Sequence, residues 1–228
     1  MDLIEKNKQS YNKIAKLWSF SRQIVWADLE LFQKHIKPGF KILDLGCGNG
    51  RLLELLVKEK VEYLGIDHSQ GMIKQARQNY PQHSFRVSDW PGADWPENEF
   101  DLVFCVAVLN HIPQKKQKEF LRAVNRTLKP GGKLLMTNWN MWNIKGRKSV
   151  WKRDNEPKAK FKQVYTTWKS GEAKEKLFYY AFTKRELKKL LIKSGFRVLE
   201  NFYSREGQKV NMFLGHNIVS VAEKREKK

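Results

Sequence analysis

The sequence predicts an α/β domain: a parallel sheet covered by helices on both faces. Three observations point there. Strand-like and helix-like runs alternate through the middle of the chain. A glycine-rich turn, Gly46-Cys47-Gly48-Asn49-Gly50, closes the first strand-like run and opens a helical one. "LKPGGKL" (Leu128–Leu134) reads as a helix stop, a Pro-Gly-Gly turn and a new strand. At 228 residues, the chain fits one domain with an elaborated lid.

Taken in order, "SYNKIAKLWSFSR" (Ser10–Arg22) has helical apolar spacing and reads as a helical cap before the sheet. Strand runs follow at Lys41–Leu45, Tyr63–Asp67, Ser84–Val87, Asp101–Val106 and Lys133–Asn138. Helical runs lie between them at Arg51–Lys58, Gln70–Tyr80 and Gln114–Leu128. From Trp139 to Tyr180 the alternation stops. That segment carries nine aromatics, eleven Lys and Arg and only four acids. It leaves the fifth strand, so it is expected to overhang the sheet's carboxyl edge as a basic, aromatic lid. "FTKRELKKLLIKSGF" (Phe182–Phe196) then reads as a helix capped by Thr183 and Glu186 and stopped by Gly195. Two strands near Arg197–Tyr203 and Asn217–Ala222 are close enough to pair as a hairpin, and the last residues read as a solvated tail.

Charge narrows the partners. Forty-four Lys and Arg against 24 Asp and Glu give a formal charge of +20 and a pI near 9.9. That balance favours a polyanion, nucleic acid first, while composition alone leaves a generally basic, soluble protein open. No basic amphipathic helix stands out for an anionic membrane, and no run approaches the ~18 apolar residues of a membrane span. The N-terminus lacks the apolar core of a secretory signal. Cys47 and Cys105 have no partner at metal-ligand spacing, so a cytoplasmic location and no metal are expected.

The glycine turn invites several ligands. A phosphate loop would end in Gly-Lys-Ser or Gly-Lys-Thr, whereas Arg51-Leu52 follow here, and the spacing G-x-G-x-x-G is broken. Asp44, two residues before Gly46, would repel a pyrophosphate but suits an ammonium group. Asp67 ends the second strand, where a carboxylate can accept hydrogen bonds from both ribose hydroxyls. "VSDW" puts Asp89 and Trp90 at the end of the third strand, suited to an adenine amino group and ring face.

Glycine turn, Asp67 and Asp89 in this order resemble the class I S-adenosylmethionine-dependent methyltransferases over about Lys41–Asn138 and into the terminal strands. The resemblance implies a Rossmann-like, seven-stranded sheet whose last strand is antiparallel, with S-adenosyl-L-methionine as cofactor. Asp44 with Gly46, Cys47, Gly48 and Gly50 would hold the methionine end, Asp67 the ribose, and Asp89 and Trp90 the adenine. Tyr11, His68, Met72 and Val106 would complete the cofactor site. "CVAVLNHI" (Cys105–Ile112) would face the sulfonium and the acceptor.

The flanks name the acceptor. Tyr-Asn-x-Ile-Ala followed by Ser-x-Ser-Arg, then "VLNHI" (Val108–Ile112), "TNWN" (Thr137–Asn140) and "FYYAFTKREL" (Phe178–Leu187), resemble the tRNA wobble-uridine carboxymethyl methyltransferases. That family esterifies a carboxylate, which is ionised at pH 7 and needs no general base, only positioning. Arg22, Asn110 and His111 are then the candidate catalytic residues. Arg22 suits the acceptor carboxylate or the cofactor's own, and His111 lines the acceptor site or packs on the cofactor. Trp139, Trp142, Lys145, Arg147, Lys148, Lys152, Arg153 and Tyr180 supply stacking faces and phosphate contacts for unpaired anticodon bases. tRNA is the expected partner of a monomer, and the resemblance also brings in a small zinc-binding activator subunit. A small-molecule O- or N-methyltransferase and a non-catalytic RNA-binding protein of the same fold are the rival readings.

Overall fold

The computed structural model describes residues 2–22, 24–89, 95–146, 159–170 and 172–225. Strands β1 (Lys41–Leu45), β2 (Glu62–Asp67), β3 (Ser84–Val87), β4 (Phe100–Val106) and β5 (Leu128–Trp139) pair in parallel. β10 (Asn217–Lys224) lies antiparallel between β5 and β8 (Phe196–Arg205), β8 also pairs with β9 (Gln208–Val210), and the sheet runs β3-β2-β1-β4-β5-β10-β8-β9. The seven expected strands are therefore present with the last one antiparallel. An eighth, β9 (Gln208–Val210), extends the edge.

Side chains alternate across each strand, so neighbouring apolar residues serve different cores. Ile42, Leu102, Phe104 and Leu135 face Leu29, Phe32, Leu53 and Ile73. Leu43, Val103, Cys105 and Leu134 face Phe120, Leu121, Leu187 and Leu191. The first core is covered by α2 (Ala27–Glu30), α3 (Leu53–Leu56) and α4 (Gln70–Asn79). The second is covered by α5 (Gln114–Thr127) and α6 (Lys184–Lys193). Both strand faces are dry, which is why these strands read as continuous apolar runs.

α1 (Leu3–Phe20) starts at Asp2, whose Oδ1 accepts from the Ile4 amide at 3.4 Å. The helix forms a bridge. Asn12 Oδ1 accepts from Ser69 Oγ (2.8 Å) and the Gly71 amide (2.9 Å) at the start of α4. Five residues earlier on the helix, Asn7 pairs with both the N–H and C=O of Phe178. Phe178 belongs to β7 (Ala173–Tyr180), which forms an antiparallel hairpin with β6 (Gln163–Ser170). The expected lid thus contains a two-stranded hairpin, and α1 ties it to the sheet.

α6 is capped as predicted. Thr183 Oγ1 accepts from the Glu186 amide, Glu186 accepts from the Thr183 amide, and Gly195 ends the helix at φ +97°. Three readings are corrected. The helix expected over Arg51–Lys58 forms only at Leu53–Leu56, a length that tertiary burial of Leu53, Leu55 and Leu56 sustains. Pro130-Gly131-Gly132 is not a turn before β5 but a bulge within it: Phe100 pairs with Leu128 and Leu102 with Lys133. The terminal strands do pair antiparallel, yet they are not one hairpin. β8 turns at Glu206-Gly207, both at positive φ, into β9 before the chain returns as β10. No helix among the described residues is long and apolar enough to cross a membrane.

Candidate cofactor and acceptor site

The carboxyl ends of β1, β2, β4 and β5 open into a cavity of about 240 Å³, roofed by α1 and the β6–β7 hairpin. Its floor is the glycine turn. The Gly46 and Cys47 amides both donate to Ile66 O, at 2.7 and 3.0 Å, which ties the turn to β2. Gly48 sits at φ +56°, and its amide donates to Asp67 Oδ2 at 3.0 Å.

Two carboxylates are buried in this cavity. Asp44 accepts a hydrogen bond from Tyr63 Oη at 2.9 Å, and burial, reinforced by Asp67, pushes its pKa up to about 7. Asp67 also accepts from the Ser69 amide at 2.8 Å, and burial raises its pKa to about 6. Each oxygen of Asp67 accepts one backbone bond and keeps a second lone pair.

Two arginines line the same cavity. Arg51 is buried, its guanidinium 4.2 Å from the Trp26 ring centroid and 5.6 Å from that of Trp18. Burial and the neighbouring Arg22 lower its pKa only to about 10, so it remains a cation at pH 7. Its Nη1 is buried without a hydrogen-bond partner. A donor left in that state costs free energy until something accepts from it. Acids for an ammonium and a diol, with cations for a carboxylate, fit the amino-acid end and ribose of a cofactor such as S-adenosylmethionine.

His111 lies opposite. Its Nδ1 is 2.8 Å from Phe178 O and its Nε2 3.0 Å from Tyr11 Oη. Nδ1 also lies 2.9 Å from the Asn7 side-chain amide nitrogen, so both ring nitrogens are engaged and the direction of the Tyr11 bond follows the tautomer. Burial holds its pKa down to about 4. Burial likewise holds His68, another lining residue, down to about 4.

The sequence-based candidates separate clearly. Tyr11, Arg22, Asp44, Gly46, Cys47, Gly48, Asp67, His68, Met72, Val106, His111 and Trp139 converge on the cavity. Gly50 does not; it faces Tyr80 and Phe85, where a Cβ would stand 2.8 Å from a Tyr80 ring carbon. Asp89 is exposed outside the lining, paired with Lys8 at 2.8 Å. Asn110 is fully buried and committed to backbone: it donates to Trp139 O and Tyr180 O and accepts from the Trp139 amide. It clamps the lid to β5, and both hydrogens of its amide are committed to backbone. Tyr180, expected to stack on RNA, is core, its hydroxyl donating to Glu186 at 2.6 Å. Trp142 packs beneath the lid and donates to Ala181 O, while Lys145 is exposed nearby. Trp90, Arg147, Lys148, Lys152 and Arg153 lie outside the described residues.

Sequence reasoning missed Arg51, Trp18, Trp26 and Tyr179, all of which line the cavity. Trp18 carried a usable signal, since it stands seven residues after Tyr11 on the same helical face. Tyr179 carried none, because strand parity decides between it and Tyr180.

A parallel sheet with a glycine turn and two buried acids at its carboxyl edge has the architecture of a nucleoside-cofactor site. The methyltransferase-domain family model matches residues 42–132. A tRNA (carboxymethyluridine(34)-5-O)-methyltransferase of Schizosaccharomyces pombe is 29% identical over 215 residues, covering 87% of this chain and 91% of that protein. A ubiquinone biosynthesis O-methyltransferase of Idiomarina loihiensis is 34% identical over 113 residues, 47% of this chain and 45% of that one. Among solved structures, a SAM-dependent methyltransferase of Methanosarcina mazei superposes with a TM-score of 0.70 at 24% identity, over 86% of this chain and 98% of that one. The methyltransferase solved with the Haloferax volcanii Trm112 activator superposes at 0.71 with 15% identity, over 97% and 99%, and shares the fold. The chain belongs to the S-adenosylmethionine-dependent methyltransferases, and S-adenosylmethionine is its cofactor.

Proposed function

We propose that this methyltransferase esterifies the carboxylate of a carboxymethylated wobble uridine in tRNA. One observation carries the reading: Arg22 and Arg51 line the cavity as cations, while its two acids, Asp44 and Asp67, suit the cofactor's ammonium and ribose rather than an acceptor's proton. His111 is neutral, and both of its nitrogens are engaged. A phenol or amine acceptor would have to lose a proton there, whereas a carboxylate arrives ionised and asks only to be positioned. The formal charge of +20 and the Schizosaccharomyces pombe relative, matched over nearly its whole length, support a tRNA acceptor. The ubiquinone-pathway relative matches about half of the chain, so its name bears less on the lid.

When bound, S-adenosylmethionine supplies an electrophilic methyl group on a sulfonium. In this assignment Asp44 receives the ammonium, Arg51 the methionine carboxylate and Asp67 the ribose hydroxyls. Arg22 orients the acceptor carboxylate. Tyr179 and Trp139 flank the acceptor, and His111 with Tyr11 fixes the lid above it.

The test is methyl transfer from labelled S-adenosylmethionine to total tRNA by the chain alone, followed by mild alkali. Label in tRNA that alkali releases as methanol is the expected result. Label that survives alkali overturns the ester. If label enters only when a Trm112-type activator is added, the chain needs a partner as the Haloferax neighbour has one.

A further inference from the structure

Cations are spread unevenly over this chain. Residues 27–62, which build α2, β1 and α3, hold six Lys and Arg and six Asp and Glu. Helices α5 and α6, of 14 and 10 residues, hold ten Lys and Arg and two Glu. A surface made basic only for solubility has no reason to concentrate charge this way.

Helical periodicity sorts these residues. Phe120, Leu121 and Val124 of α5 and Leu187 and Leu191 of α6 are buried in one core. The two helices pack together, and Asn125 abuts Gly195 at 3.6 Å from a Cβ built there. Their polar faces therefore form one continuous outer surface. On it, Lys115, Lys118, Arg122, Arg185, Lys188 and Lys189 are exposed, and none has a carboxylate partner among the described residues. Spacings of three and four residues place the α5 cations about 5 Å apart along the axis, in a stripe roughly 10 Å long. That is too long for one small anion.

The stripe also has a direction. α5 begins just after His111, a cavity residue, and α6 begins just after the lid hairpin. Both helices start at the edge of the sheet where the cavity lies and run away from it. We propose that the outer face of α5 and α6 is a phosphate-backbone track for the stem of a folded RNA whose loop enters the cavity, an inference that rests on the tRNA reading above. RNA stems are recognised through phosphates and shape rather than base edges, which suits six long, uncompensated cations on a convex face.

The experiment replaces four of them together, Lys118→Gln, Arg122→Gln, Lys188→Gln and Lys189→Gln. Binding of whole tRNA and of a loop-only oligonucleotide is read by fluorescence anisotropy across a salt series, alongside methyl transfer. S-adenosylhomocysteine affinity and Tm, both expected unchanged, establish that the variant is folded. The expected result is a rise of at least 10-fold in Kd and KM for whole tRNA near 0.15 M salt. The salt slope should fall by about 3, at roughly 0.7–0.9 per lost phosphate contact. Loop-only binding should stay as it was. Unchanged tRNA affinity and salt slope overturn the track whatever the turnover, as does equal weakening toward tRNA and anionic vesicles. Weakened tRNA binding with no methyl transfer to tRNA by either protein, with or without a Trm112-type activator, leaves the track standing and overturns the wobble-ester reading instead.

Discussion

Asp44 makes a prediction that runs against ordinary acid denaturation. Its carboxyl is 2% exposed and has a pKa near 7 in the fold, against about 3.9 in an unfolded chain. Between about pH 4 and pH 7 the native state keeps a proton that the unfolded state has lost, so raising the pH through that window destabilises the apoprotein. Moving a carboxyl pKa from about 4 to about 7 corresponds to about 4 kcal/mol, and Asp67 contributes to that repulsion. Asp44→Asn keeps an oxygen for Tyr63 Oη and removes the charge. We expect it to stabilise the apoprotein at pH 8 by about 2–4 kcal/mol, a rise in Tm of roughly 5–10 °C. The gain should fall by more than half at about pH 5 and largely vanish by about pH 4. Ligand binding should move the other way: an ammonium beside Asp44 favours its charged form, so wild-type affinity for S-adenosylhomocysteine should improve from pH 5.5 to pH 8. The asparagine variant should bind weakly at every pH. Thermal unfolding at several pH values, with and without the ligand, reads all of this. Equal pH dependence of stability in the two proteins would show that Asp44 ionises normally and refute the argument.

Four further outcomes follow from the same geometry. Arg51→Met should raise apoprotein stability by about 1–2 kcal/mol, since an unpartnered buried donor is removed, while weakening cofactor affinity 10- to 100-fold by calorimetry. Gly50→Ala should cost about 2–3 kcal/mol in denaturant titration, because φ is +82° and the new Cβ meets Tyr80. Asn110→Ala should cost about 2–4 kcal/mol by the same titration, having freed Trp139 and Tyr180 backbone groups, and Asn110→Asp should not rescue it because two carbonyls would then face an acceptor. His111 holds a pKa near 4, so kcat should show no histidine inflection between pH 5.5 and pH 8; an inflection near pH 6.5 that disappears in His111→Gln would place a titrating imidazole in the mechanism.

What the sequence revealed, and what it concealed, divides along physical lines. β1, β4 and the capping box of α6 were legible because local rules decide them: apolar runs for strands dry on both faces, and Thr and Glu three residues apart for a helix start. Asp44 and Asp67 were legible as cavity acids because strand ends beside a glycine turn fix where a side chain points. The Pro-Gly-Gly bulge and β9 were not, since both depend on pairing with a distant strand. Asn110 looked like a catalytic group because it sits beside His111, but its partners are backbone atoms 29 and 70 residues away. Tyr180 was exchanged for Tyr179 by a single step of strand parity, which no local pattern reveals. Arg51 was read only as evidence against a phosphate loop; its burial between two tryptophans comes from α1 and the segment before α2 folding over the turn.

Buried charge alone does not mark a site, and this chain contains its own control. Asp28 is as buried as Asp44, yet it accepts from Ser204 Oγ at 2.6 Å, the Gly207 amide at 2.7 Å and Asn217 Nδ2 at 2.6 Å. Those three donors tie α2 to β8, its turn and β10, and they account for the carboxylate by structure alone. Asp44 has one such partner, the Tyr63 hydroxyl, and Arg51 presents a nitrogen to no acceptor. Opposite charges thus line one cavity, while Tyr63 holds the acid and Trp18 and Trp26 flank the guanidinium. A fold under pressure for stability alone would close that gap or replace both groups with apolar side chains. Holding them apart stores an unfavourable arrangement that only a ligand carrying both an ammonium and a carboxylate relieves. The same separation predicts that Asp44→Asn combined with Arg51→Met is more stable than either single variant and binds cofactor least. Chemical denaturation and calorimetry on the four proteins would read that cycle, and single variants less stable than the wild type, with stability restored in the double variant, would mean the two charges satisfy each other after all.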